Sequence, residues 1–100
     1  MVAYVIFLRE SPVHTPAEME EYQRMGRERP ADPRLTPLAV YGAQVELEGK
    51  APDGAVILQF PSMEAAKDWY YGDYLAAAEH RQKAAEYRGF IVDGFTLPGS

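Results

Sequence analysis

The sequence has no cysteine in its 100 residues. This absence excludes disulfides, thiolate metal sites, iron–sulfur clusters and cysteine nucleophiles. The chain also lacks a basic tract and carries a net charge of −5. We therefore expect no nucleic-acid partner, because phosphate binding requires clustered lysine and arginine. The longest N-terminal apolar run, residues 1–8, is far shorter than the ~20 residues of a membrane span and does not resemble a signal peptide. We expect no membrane association and a cytoplasmic location.

Motifs for several kinds of chemistry are missing as well. The sequence contains no nucleophile elbow, no phosphate loop, no dinucleotide fingerprint and no convincing set of metal ligands, so it predicts no metal site and no cofactor. The sequence as a whole is 47% hydrophobic and 25% charged, which is typical of a soluble globular protein. The length fits one domain, which we place at residues 1–95, followed by a C-terminal tail at 96–100.

Four segments have the β-branched and aromatic residues that are typical of strands, at 2–8, 39–48, 55–60 and 89–95. The first and third are apolar on both faces, which indicates strands that are covered on both sides of a sheet. The second is interrupted at Gly42, where we expect a bulge or a close approach by another segment.

A first helix is predicted between Thr15 and Pro30. Thr15 is expected to cap it, Pro16 suits its first turn, and Glu18 would complete a capping box. The residue before a proline avoids helical angles, so this helix should end before Pro30.

A second helix is predicted to begin after Ser62, which is expected to cap it. Gly72 interrupts this helix, and Asp73 is expected to cap a continuation over residues 74–87. Glycine commonly follows the end of a helix, so Gly89 is expected to terminate the continuation.

The order of elements is therefore β-α-β-β-α-β. It predicts an α+β fold of the ferredoxin-like kind, with a four-stranded antiparallel sheet and two helices on one face. The other face, about 400 Å² for four strands about 20 Å long, has no cover within the chain. A soluble monomer rarely leaves so large an apolar face bare, so we expect a homodimer that packs through this exposed sheet face.

The C-terminal half of the chain also follows a recurring family pattern. In that pattern a strand ends in Phe-Pro-Ser and is followed by alanine, Trp-Tyr, a further tyrosine and an arginine on the same helix. The matching positions are Phe60-Pro61-Ser62, Ala65-Ala66, Trp69-Tyr70, Tyr74 and Arg81, and Tyr22, Glu48-Gly49 and Val92-Asp93-Gly94 fit as well.

In these residues the chain resembles the domain-of-unknown-function family 1330, a group of short proteins of the dimeric α+β barrel class. The resemblance covers about residues 1–95 and implies the fold and the dimer, but it implies no particular activity. Where the family usually has an Arg-Gly-Gly-like stretch, this chain has Tyr41-Gly42-Ala43. A role tied to that arginine does not carry over.

Arg81 is the first candidate for a binding residue. It follows Tyr74 by seven positions and shares a helix face with alanines, so its charge falls on an apolar stripe. A buried guanidinium needs a partner, because burying a lone charge is costly. That partner could be the anion of a small ligand, or a carboxylate such as Asp73 or Glu64 in a structural ion pair.

An aromatic set and one amide complete the candidate substrate-binding residues. Tyrosine hydroxyls can orient a small organic ligand in a cavity between sheet and helices, and a glutamine on a strand can hold a ligand carbonyl. The alternative is that these side chains belong to the core, or that the glutamine faces the dimer partner. The set consists of Tyr22, Tyr41, Trp69, Tyr74 and Gln59, with Tyr70 and Gln44 beside them.

His14 and His80 are the only candidates for a catalytic general base with an ordinary pKa near neutrality. His14 is expected in a loop and His80 on the flank of the second helix. Haem binding through His80 is disfavoured, because no second ligand is visible.

Two functions therefore remain open at this point. The first is an enzyme that acts on a small carboxylated or aromatic molecule in a cavity of each subunit. The second is a non-catalytic dimer that binds a metabolite or another protein. An open cavity near Arg81 would favour a ligand, whereas a filled interior would favour a purely structural role for these residues.

Overall fold

The computed structural model describes residues 1–98. The elements in chain order are β1 (Ala3–Arg9), α1 (Pro16–Glu28), β2 (Thr36–Val40), β3 (Gly54–Phe60), α2 (Met63–Tyr71), α3 (Tyr74–Ala84) and β4 (Tyr87–Asp93). The strands form one antiparallel sheet in the order β2-β3-β1-β4. The predicted α+β class and ferredoxin-like order are confirmed. Of the predicted tail, residues 99–100 lie outside the described part of the chain.

β1 and β3 form the middle of the sheet and present alternate residues to its two sides. On the helical side they bury Val5, Phe7 and Phe60 in one core with α2 and α3. On the opposite side, which we call the open face, Ile6 and Ile57 are only half-buried. The alternation explains why both strands are apolar on both faces.

α1 packs against α3 and contains no fully buried residue. It contributes Tyr22 and Met25 to the edge of the core and ends at Glu28, before Pro30 as predicted. Within residues 1–98, no helix is long and apolar enough to cross a membrane.

Thr15 precedes α1, but it makes no side-chain hydrogen bond to cap the helix, so that prediction is wrong. Its backbone N–H donates to Ala84 O at 3.2 Å, and its hydroxyl lies 3.2 Å from His14 Nδ1. The carboxylate of Glu18, the other half of the predicted capping box, contacts His80 Nδ1 at 2.5 Å. Contacts between α1 and α3 have replaced the local cap.

The second predicted helix is divided into α2 and α3 at Gly72, as expected. Ser62 caps α2, since its Oγ accepts a hydrogen bond from the Ala65 N–H at 3.0 Å. Asp73 makes no side-chain cap and has helical angles (φ −62°, ψ −24°). The break is therefore a kink between two helical segments rather than a new, capped start.

The end of α3 and the start of β4 differ from the prediction. α3 ends at Ala84 rather than at residue 87, and β4 begins at Tyr87 rather than at Gly89. Gly89 lies within β4 and pairs with Phe7 of β1. A Cβ at this position would lie 2.7 Å from Cδ1 of the Phe7 ring. Gly89 therefore makes room for an aromatic ring and does not terminate a helix.

β2 is also shorter than predicted and lies earlier in the chain, at Thr36–Val40 instead of 39–48. It tolerates Pro37 because it is an edge strand, where a missing N–H costs no hydrogen bond within the sheet. The irregular pairing follows Pro37, not Gly42. Tyr41 ends the strand by adopting a left-handed conformation with φ 53°.

Residues 42–52 project between β2 and β3, and we call this segment the arm. Its polar groups hold it together: Gln44 Nε2 donates to Pro52 O at 2.9 Å, and the Ala51 N–H donates to Glu46 Oε2 at 2.8 Å. The radius of gyration is 14.5 Å, against about 13 Å for a compact chain of this length. The extended arm accounts for part of this difference.

Substitution of Gly89 should test the packing at the centre of the sheet. We expect Gly89→Ala to lower the free energy of unfolding by about 1–3 kcal/mol, because the new methyl group overpacks the Phe7 ring. Gly26→Ala is the matched control, since a Cβ there meets nothing within 4 Å. In the middle of α1 it should stabilise by about 0.5–1 kcal/mol. Equal effects of the two substitutions in denaturant unfolding would contradict this account.

Candidate functional site

Arg81 of α3 is almost completely buried, with 2% of its surface exposed. Its guanidinium carbon lies 4.2 Å from the ring centroid of Phe7 and 4.6 Å from that of Tyr87. A cation over an aromatic face is attracted by the negative potential of the ring. The two contacts hold the charged group against β1 and β4.

No carboxylate within residues 1–98 forms an ion pair with Arg81. The structural pair with Asp73 or Glu64 is therefore absent from this part of the chain. Arg81 Nε donates to the Tyr74 hydroxyl at 3.2 Å, whereas Nη1 is buried and has no hydrogen-bond partner among the described residues. Buried polar groups are nearly always paired in proteins, so an orphaned guanidinium nitrogen indicates a missing anionic or polar partner.

Tyr74 extends this polar group toward α1. Its hydroxyl shares a hydrogen bond of 2.9 Å with the Tyr22 hydroxyl, and its ring stacks on Trp69 with a centroid separation of 4.1 Å. Burial raises the pKa of both phenols, and the Arg81 charge opposes this rise in each. Both tyrosines therefore stay protonated at neutral pH and can act as hydrogen-bond partners that fix the Arg81 side chain.

Tyr41 joins the same region from the end of β2. Its hydroxyl lies 2.6 Å from that of Tyr87, and its ring packs over Gly54, where a Cβ would lie 2.6 Å from the Tyr41 Cδ1. Burial and the hydrogen bond to Tyr87 raise the pKa of Tyr41. Because Tyr87 also contacts Arg81, Tyr41 braces the second of the two rings that hold the guanidinium.

A cavity of about 390 Å³ lies between α2, α3 and β4, and Arg81 lines it. Phe7 and Tyr87, the two rings on Arg81, also line it. Lys67 adds a second cation whose side chain is half exposed. The other lining residues are mainly apolar or aromatic, and they include Val5, Met63, Tyr70, Tyr71, Phe90 and Ile91.

A second cavity, of about 730 Å³, lies beside the proline-rich segment 29–37. Trp69 and Tyr74 contribute to its wall. Side chains of both charges surround it, among them Arg29, Arg34, Asp32, Asp68 and Asp73. Its two arginines are outnumbered by three aspartates, so it offers no net positive charge to an anion, and we assign the candidate site to the cavity at Arg81.

The structure brings together five of the predicted site residues. Tyr74 contacts Arg81 directly, Tyr22 and Trp69 contact Tyr74, and Tyr41 reaches Arg81 through Tyr87. Of the five, Arg81 alone lines the 390 Å³ cavity. The other four contact Arg81 directly or through a neighbouring residue.

The other three predicted residues lie elsewhere. His80 points toward α1, where it pairs with Glu18, and His14 is in the loop before α1 next to Thr15. Gln59 alternates with the buried residues of β3 and therefore lies on the open face, on the far side of the sheet from Arg81. None of these three side chains lines the cavity.

Phe7 and Tyr87 are residues of the candidate site that the sequence pattern does not identify. The pattern identified Phe7 only as one apolar position on a strand, and nothing in the local sequence marks a ring that will contact a cation. Tyr87 was assigned to the end of a helix because Gly89 was taken as its stop. Pairing of Tyr87 with Arg9 across the sheet reveals its true position.

Fold and site together define an α+β protein in which a buried arginine lines a cavity between an antiparallel sheet and its helices. The family model described as Domain of unknown function (DUF1330) matches residues 2–95, and the chain belongs to this family. Its fold is similar to the crystal structure of an ethyl tert-butyl ether d (EthD) family protein from Bacillus halodurans, with a TM-score of 0.59. The two chains are 16% identical, and the match covers 95% of this chain and 100% of the other. At this identity the similarity establishes the fold alone. A search of curated proteins gives no match.

The raised pKa values predict alkaline destabilisation. The phenols of Tyr22, Tyr41 and Tyr74 hold their protons more tightly in the fold, whereas an unfolded tyrosine titrates near 10. Their contribution to stability is therefore complete below about pH 10 and falls as the pH rises above it.

Denaturant unfolding at pH 8 and pH 10.5 should show this loss. Tyr22→Phe should reduce the difference between the two pH values, because one group with a raised pKa is removed. Tyr71→Phe, at an exposed position, should leave the difference unchanged. An equal loss in all three proteins would show that these buried phenols do not cause the pH dependence.

Proposed function

We propose that this protein is a homodimer in which each subunit binds a small organic carboxylate in the cavity at Arg81. The observation that carries this proposal is the buried Nη1 of Arg81, which has no hydrogen-bond partner within residues 1–98. A carboxylate would supply both the missing hydrogen-bond acceptor and the missing negative charge. The cytoplasm is the expected location, in keeping with the absence of cysteine.

The hydrogen bonds of Arg81 suggest how the ligand would be held. Nε is occupied by the Tyr74 hydroxyl, so the side of the guanidinium that carries the two Nη atoms remains for the ligand. A carboxylate that approaches this end can accept two parallel N–H bonds. The contacts with Phe7 and Tyr87 restrict rotation of the guanidinium and so lower the entropy lost on binding.

The rest of the cavity favours a ligand with an apolar or aromatic body. Met63, Tyr70 and Ile91 would contact that body, and Lys67 would attract the anion from the half-exposed side of the cavity. A volume of about 390 Å³ is within the usual range for small-molecule sites. A small aromatic or branched aliphatic carboxylate matches this combination.

Two kinds of role are compatible with such a site. An enzyme would act on the bound carboxylate, whereas a metabolite-binding dimer would only hold it. The histidines proposed as proton carriers, His80 and His14, do not line the cavity, so their positions favour binding as the first role to test. An enzymatic reaction here would draw on the groups that do line the cavity, among them the phenols of Tyr70 and Tyr87.

The open face supports the dimer. On this face Phe90 and Val92 of β4 are 47% and 44% exposed, next to the half-buried Ile6 and Ile57 of the central strands. Apolar side chains thus lie on three neighbouring strands of this face, with the polar Gln59 among them. A second copy that packs its own open face on it would remove both surfaces from water.

Substitution of Arg81 should separate binding from folding. We expect Arg81→Met to stay folded, because no carboxylate in residues 1–98 is left unpaired when the charge is lost. Its affinity for carboxylates such as benzoate and phenylacetate should fall about 10-fold or more, since a charged hydrogen bond contributes about 1.5–3 kcal/mol. Arg81→Lys should also bind weakly, because lysine lacks the planar fork.

Thermal shift and calorimetric titration provide the measurement, with benzamide as the uncharged counterpart of benzoate. Arg27→Met, on the exposed surface of α1, is the control for loss of one positive charge. The proposal is wrong if benzoate and phenylacetate stabilise the wild-type protein no more than benzamide does. It is also wrong if Arg81→Met and Arg27→Met bind the carboxylates equally well.

The proposed dimer has a separate test. In sedimentation equilibrium the wild-type protein should have twice the chain mass of 11.2 kDa at micromolar concentration. Val92→Asp should weaken the dimer more than about 100-fold, because a carboxylate without a partner in an apolar interface costs several kcal/mol. Leu75→Asp, at an exposed position on α3, should leave the mass unchanged. A wild-type monomer would refute the dimer but not the carboxylate site.

A further inference from the structure

The arm, residues 42–52, carries two of the most exposed large apolar side chains of the described chain. Val45 is 83% exposed and Leu47 is 89% exposed. Over residues 43–47 apolar and polar residues alternate, and we call Ala43, Val45 and Leu47 the apolar side of the arm. This apolar side has no contact with the core of its own subunit.

The opposite side of the arm is polar and already engaged. Gln44 donates to Pro52 O at 2.9 Å, and Glu46 accepts from the Ala51 N–H at 2.8 Å. These hydrogen bonds join the first part of the arm to Ala51 and Pro52, which lead back to β3. They hold the segment in a defined shape, with its apolar side turned away from the subunit. Such an alternation of apolar and hydrogen-bonded polar residues is not expected of an unstructured loop.

The size of the open face gives a second, independent argument. Four strands with about 4.8 Å spacing and about 20 Å length present about 400 Å². A stable interface of standard size buries about 800 Å² on each partner. The flat area of the open face is about half of this accessible area, which leaves room for further contact surface in the dimer. Among the exposed apolar side chains that follow a strand of the sheet, those of the arm (Val45 and Leu47) are more exposed than Phe95 and Leu97 after β4.

We infer that the arm is a clasp for a second copy of this chain, and that Val45 and Leu47 pack against that copy. The inference rests on the proposed dimer and adds the surface that completes it. Each arm leaves the end of β2, at one edge of the sheet, and residues 42–50 are exposed. In a symmetric dimer both arms make the same contact, so four apolar side chains enter the interface.

Sedimentation equilibrium of arm variants tests this role. The double substitution Val45→Ser/Leu47→Ser should raise the dimer dissociation constant by about 100-fold or more, since four apolar side chains lose their burial. The subunit should keep its circular dichroism spectrum, because neither residue contacts the core.

Glu48→Ser/Lys50→Ser is the matched control. It changes the same number of residues in the same arm and leaves the net charge unaltered, and it should change the dissociation constant less than 3-fold. A wild-type dimer that is equally stable in both double variants would overturn the clasp while the dimer itself stands. A wild-type monomer would instead refute the proposed dimer and the clasp together.

Discussion

The contact of one guanidinium with two aromatic rings determines how the helices sit on the sheet. Arg81 of α3 lies against Phe7 of β1 and Tyr87 of β4, so a single side chain links one helix to two neighbouring strands. This contact needs space that a normal side chain would fill. Gly89 leaves room for the Phe7 ring, and Ala77 and Ala78 keep the buried face of α3 small. The buried position of Arg81 thus depends on small residues at positions 77, 78 and 89.

The same contact leaves an imbalance of charge. Aromatic rings attract a cation, but they do not replace the hydrogen bonds that its nitrogens lose on burial. Tyr74 satisfies Nε and is itself held by Tyr22, while Nη1 remains unpaired within residues 1–98. A protein under selection for stability alone would place a neutral side chain at this position. An unpaired buried charge beside a cavity is the basis of the proposed carboxylate site.

The sequence was sufficient to predict the fold because the strands and helices differ clearly in their apolar periodicity. It could not predict where tertiary contacts override local signals. Thr15 has the sequence of a helix cap, yet its N–H and hydroxyl are used by Ala84 and His14. Gly89 has the sequence of a helix stop, yet the close approach of Phe7 places it in a strand. In both cases a residue distant in sequence decides the local conformation.

The candidate site was predictable to a similar degree. Arg81 stood out because a charge on an apolar stripe requires an explanation, and Tyr74 and Tyr22 were found through the family pattern. The aromatic rings that position Arg81 could not be found in this way, because a ring contacting a cation has the same sequence pattern as a ring in any core. Gln59 is the opposite case, a residue that was predicted for the site but does not lie in it. A polar residue on a central strand suggested a site, but the alternation of β3 places it on the open face.

That alternation connects the two proposed functions. On β4, Gly89 and Ile91 line the cavity and Val92 lies on the open face, while Phe90 lines the cavity and is also 47% exposed on the open face. Residues next to each other in sequence therefore serve opposite sides of one strand. Phe90 therefore belongs to both surfaces and connects the cavity with the face on which a second copy would pack. β4 is also an edge strand, paired on one side only. A dimer that fixes the outer face of β4 would reduce its motion and so fix the wall of the cavity. A dimer packed on Phe90 would contact a residue that also lines the cavity, so dimer formation and ligand binding would be linked.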